Sequence, residues 1–75
     1  MTTAISDFMV HVDEQLNAER IRQLEDYVRD DICVISAVVP QHTPHLMVVV
    51  YDSECVPAKE ILDRVRDSGV HATML

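Results

Sequence analysis

Tryptophan is absent from this 75-residue chain, glycine and phenylalanine occur once each, tyrosine twice, and six lysines and arginines face thirteen aspartates and glutamates. Each shortage removes a class of function. The lone glycine, Gly69, leaves no glycine-rich loop to cradle a phosphate. A net charge of −7 repels phosphate backbones and anionic lipid, and Phe8 and Tyr51 in such a field do not make a base-stacking platform, so nucleic acid is not an expected partner. Cys33 and Cys55 stand without a second Cys or His at ligand spacing. That rules out a zinc-finger pattern and a multi-disulfide scaffold, and two reduced thiols are expected. The longest apolar run, "LMVVVY", is too short to cross a bilayer, and "MTTAISDF" lacks the basic start and apolar middle of a secretion signal, so a cytoplasmic chain without membrane insertion is expected.

What remains is 48% hydrophobic, rich in Val and Ile, which argues for a folded globule over disorder. One domain covering residues 1–75, with a core from about residue 6, sits near the lower size limit for folding without staples. Residues Asp7–Val12 alternate, with Phe8, Val10 and Val12 on one side and Asp7, Met9 and His11 on the other, as in a half-buried strand. Asn17 is a good N-cap, Leu16 and Ile21 can staple the helix start, and Ile21, Leu24 and Val28 continue one face, predicting a helix over 18–29. "DICVISAVV", the turn "PQHTP" and "HLMVVVYD" read as an antiparallel hairpin. Pro57 suits the first position of a second helix with Ile61, Leu62 and Val65 on its apolar face, and Gly69 suits the left-handed residue past its end. "VHATML" closes the chain as a fourth strand. Two right-handed β-α-β units of this length interleave into an α+β, ferredoxin-like β-α-β-β-α-β sandwich: a four-stranded antiparallel sheet in order 4-1-3-2 with both helices on one face.

The helix face Ile21, Leu24, Val28, then "VISAVV", "VVVYD" and "ILDRVRDSGVHA", in that order and at those separations, resemble the heavy-metal-associated domain of small copper chaperones and metal-pumping ATPases. The resemblance implies a ferredoxin-like fold and a Cys-x-x-Cys metal loop after the first strand. Aligning Leu24 and Val28 with that family's helix puts Asn17 and Arg20 at the two cysteine positions. An amide and a permanent cation replace neither thiolate for soft Cu(I), so the metal loop is read as degenerate.

In this topology His11, His42, His45 and His71 all fall at the end that holds the loop. His11 and His71 lie on adjacent strands, and His42 and His45 flank Pro44 in the neighbouring hairpin. Neutral imidazoles suit Zn(II) or Cu(II), with Asp13 or Glu14 as an added carboxylate, so His11 and His71, assisted by His42 or His45, are the candidate metal ligands. The bland alternative is four unrelated surface histidines. Cys33, opposite about Tyr51, and Cys55, a few residues beyond, lie at the far end, where a direct bridge is not expected.

Leu46–Val50 is apolar on both strand faces while helices cover only one. Val48 and Val50 with Met9, or Met47 and Val49 in the reverse register, then form an uncovered patch for a protein partner or a second copy, with an edge strand as the other route to association. Acidic Asp13, Glu14, Glu25, Asp26, Asp30 and Asp31 around the first helix suit a solvated face or a basic partner. No enzyme is indicated: acylphosphatase-like chemistry lacks its glycine-rich cradle, and Cys and His occupy opposite ends. The sequence thus suggests a small non-enzymatic binding protein of metal-homeostasis ancestry. Its competitors are a metal-independent dimerisation or regulatory module and, more distantly, a small-ligand sensor.

Overall fold

The computed structural model describes residues 4–75. Along the chain run β1 (Ile5–Val12), α1 (Ala18–Arg29), β2 (Val34–Val38), β3 (Leu46–Asp52), α2 (Ala58–Asp67) and β4 (Ala72–Met74). The strands form one antiparallel sheet in the order β2-β3-β1-β4, the expected ferredoxin-like arrangement read from its other side.

Strand pleating separates the two sheet faces. Val10 and Val12 of β1, Ala37 of β2, Met47, Val49 and Tyr51 of β3 and Ala72 of β4 are buried in one core with Leu24 and Val28 of α1 and Ile61, Leu62 and Val65 of α2. The core is aliphatic, and its few rings sit at one margin, where Phe8 meets Tyr51 edge to face at 5.4 Å. Each buried Val or Leu contributes about 1.5–3 kcal/mol, which makes this shared cluster the main source of stability in so short a chain. Met47 and Val49 point into it, leaving Val48 and Val50 on the opposite face.

Helix boundaries follow local chemistry. Asn17 caps α1 by accepting the Arg20 N–H at 2.8 Å, and Gly69, at φ +101°, takes the left-handed turn after α2. Pro57 is the N-cap of α2, one position outside the helix, with extended backbone. β1 begins two residues earlier than expected, and β4 is confined to Ala72–Met74, although single bonds from Asp13 N to His71 O and from Leu75 N to Met9 O prolong its contact with β1.

The cysteines correct the sequence reading. Cys33 and Cys55 form a disulfide with their Cα atoms 5.6 Å apart, where reduced thiols and no bridge were expected. Two local features bring them together. The hairpin pairs Val38 with Val48 and so is centred on Thr43; even after the register shift between Val34 and Ser36 gives one residue back, Val34, not Cys33, faces Tyr51, and Cys33 lies beside Asp52, whose N–H donates to Cys33 O at 2.9 Å. The chain then turns back at once: Asp52 Oδ1 accepts the Glu54 N–H and Asp52 O accepts the Cys55 N–H. Among the described residues no helix is long and apolar enough to cross a membrane.

Candidate functional site

The junction between β1 and α1 is occupied by structural bonds. Beyond the cap made by Asn17, Arg20 sends its guanidinium across to the Ser68 carbonyl at the end of α2. These residues tie the start of one helix to the end of the other. Asn17 and Arg20, which the sequence comparison set at two cysteine positions, are thus engaged as a cap and as a donor at the helix ends.

The histidines lie around this junction, each positioned by a different element. His11 projects from the open face of β1 and its Nδ1 lies 3.1 Å from Asp13 Oδ1. His45 precedes β3, where its carbonyl accepts the Val12 N–H at 2.8 Å and its Nδ1 lies 3.0 Å from Val12 O. His71, just before β4, places Nδ1 on Glu14 Oε2, and its backbone N–H donates to both oxygens of the same carboxylate at 2.9 and 3.0 Å. The structure brings His11 and His45 together, with centroids 6.0 Å apart and planes at 19°. It sets His71 against Glu14 and leaves His42 exposed in the Pro40–Thr43 turn.

One chemical feature is common to His11, His45 and His71: Nδ1 meets an oxygen acceptor. A neutral ring with its proton on Nδ1 then keeps the lone pair of Nε2 free, and an oxygen partner on the far nitrogen is what orients metal-ligating histidines in general. Among the described residues no group of three or more His, Cys, Asp or Glu side chains is arranged to hold a metal ion, so His11 and His45 stand as a pair. Electrostatics are most marked at His71. Its bond to Glu14 and the nearby negative charge raise the imidazole pKa above the ordinary value, while the same bond holds the Glu14 carboxyl below its own.

The uncovered sheet face is a second candidate surface. Met9, Val48 and Val50, singled out from the sequence, lie on it, with Met9 40% exposed. Val38 and Leu75 extend it and were missed by sequence reasoning. Val38 pairs with Val48 across β2 and β3, and Leu75 joins through its bond to Met9 O beyond the end of β4.

No family model and no curated protein matches this sequence. Solved structures do match it. A copper-binding domain of the P-type ATPase HMA7 is 23% identical over 92% of each chain, with a TM-score of 0.82. A domain of a yeast copper transporter, solved in apo and Cu(I)-loaded states, is 20% identical over 92% of this chain and 93% of its own, at 0.79. Oxidized MerP from Ralstonia metallidurans is 14% identical over 95% of this chain and 97% of its own, at 0.83. At these identities the likeness is one of fold: the chain has the ferredoxin-like β-α-β-β-α-β fold of the heavy-metal-associated domains.

Proposed function

We propose that this chain is a small non-enzymatic binding domain of metal-homeostasis type that has exchanged the thiolates of the β1–α1 loop for imidazoles. The observation that carries this reading is the pairing of His11 and His45, two stacked rings with centroids 6.0 Å apart and each Nδ1 beside an oxygen acceptor, an arrangement in which a proton on Nδ1 leaves the Nε2 lone pair to a metal. The copper-binding proteins that share the fold support it by analogy. Zn(II) and Cu(II) are the ions that neutral imidazole suits, with water or a partner's donors completing the coordination. No ligand of this set is a nucleophile placed against a base, which favours binding over catalysis.

The test is competitive titration of Zn(II) and Cu(II) into the intact chain and into His11→Ala/His45→Ala. Loss of at least about tenfold in affinity, more than a solvent-exposed bystander would cost, is expected for the double variant. Unchanged affinity rejects the imidazole site.

The apolar face supports a second reading, a metal-independent docking module for a protein partner or a second copy, because Met9, Val38 and Leu75 keep 40–68% of their surface exposed. Sedimentation with and without chelator separates the two: association that persists in chelator favours the second.

A further inference from the structure

We propose that Cys33 and Cys55, when reduced, form a redox-gated site for Cu(I) at the pole of the sheet opposite the histidines. This inference does not rest on the imidazole reading. β3 separates the two regions, carrying the chain from His45 to Asp52 over roughly 20 Å.

The argument is one of preorganisation. Asp52 joins the two cysteine backbones through bonds that involve no sulfur: its N–H donates to Cys33 O at 2.9 Å and its carbonyl accepts the Cys55 N–H at 3.0 Å. Asp31 Oδ1 accepts the Cys33 N–H at 2.8 Å, and Asp52 Oδ1 accepts the Glu54 N–H at 2.9 Å. Val56, the residue after Cys55, is buried, and Cys33 itself packs on the core. Cleaving the S–S bond removes none of these contacts, so the Cα atoms stay near 5.6 Å apart and the two thiols remain neighbours. Cys55 is exposed, which gives reductant and metal a path to the pair.

The donor set selects the ion. Two sulfurs and no third convergent ligand among the described residues do not make the four-coordinate shell that a structural zinc site takes. They suit soft Cu(I), which thiolates select. The chemistry balances with a thiol reductant: two R–SH become R–S–S–R, the Cys33–Cys55 bond takes up the two electrons and breaks, and each protein sulfur gains a proton. Cu(I) then displaces both protons as two S–Cu bonds form, with no change in the oxidation state of copper. The disulfide is thus the closed state of the site and the dithiol its open state.

The experiment compares the oxidised chain with the chain reduced by a phosphine, which becomes phosphine oxide with the oxygen of water, and desalted without oxygen. Cu(I) is titrated in competition with bicinchoninate, and a ¹H–¹⁵N spectrum reports the fold. One Cu(I) per reduced chain and none per oxidised chain are expected. Cys33→Ser and Cys55→Ser should each weaken binding by more than the roughly 100-fold that loss of an outer-shell partner costs. His11→Ala/His45→Ala should leave it unchanged, which keeps this outcome separate from the fate of the imidazole site. The proposal is overturned if the reduced chain binds no more tightly than the oxidised one, if the serine variants bind as well as the parent, if one copper is held by two chains, or if reduction abolishes the native spectrum.

Discussion

Glu14 receives both the ring Nδ1 and the backbone N–H of His71 in one carboxylate, fastening the entry to β4 onto the loop that follows β1. Both groups titrate away from their ordinary values, in opposite directions. The lowered Glu14 pKa contributes stability that is present above its unfolded value of 4.5 and lost as pH falls through the depressed folded value. The raised His71 pKa contributes stability present below its unfolded value of 6.5 and lost as pH rises through the elevated folded value. Glu14→Gln is expected to bring the His71 midpoint down toward 6.5, read from the ring proton shifts by NMR; an unmoved midpoint would refute the coupling.

Reducing the Cys33–Cys55 bond should destabilise the domain measurably. It closes a loop of sequence separation 22, for which chain entropy gives roughly 3 kcal/mol. A fall in Tm on the order of 10–20 °C follows for a domain of this size. Urea unfolding with and without reductant checks it, and a change below about 1 kcal/mol would show that the unfolded chain is scarcely restrained by the bond.

Two positions at the helix ends carry backbone demands that substitution should expose. Asn17→Ala removes the oxygen that accepts the Arg20 N–H and is expected to cost about 1 kcal/mol. Gly69→Ala forces a Cβ into φ +101° and should cost roughly 1–2 kcal/mol, even though the nearest atom to that Cβ, Arg20 Nη2, is an unstrained 3.8 Å away. Measured costs near zero at Gly69 would mean the turn relaxes to negative φ.

Val48→Glu tests the open face. Val48 is partly exposed and opposes Met9 across β1 and β3, so the substitution should leave the aliphatic core intact and change stability by less than about 1 kcal/mol. If the face docks a second copy, sedimentation velocity of the parent at high concentration should show a dimer that Val48→Glu removes. Identical profiles for both would assign the face to solvent.

Much of the fold is legible because its signals are local. Alternation in Asp7–Val12, the cap at Asn17 and the single glycine at position 69 each fix one junction through the chemistry of one or two residues. The cystine was hidden because the hairpin is centred on Thr43, one position later than a Cys33–Tyr51 pairing implies, and an immediate reversal at Asp52 then brings Cys55 back beside Cys33. The histidine end followed from topology, but which rings touch depended on side-chain choices: His45 turns to the Val12 carbonyl and so stacks on His11, while His71 is drawn to Glu14. No spacing rule in the sequence encodes those bonds.

The irregularity at Ile35 also bears on the two free edges of the sheet in this valine-rich chain. β2 and β4 form the two margins of the sheet; one is interrupted by the register shift and the other is only three residues long. Neither presents a long straight row of free N–H and C=O groups on which a neighbouring chain could template further strands. Growth into fibrils is thereby hindered at both borders.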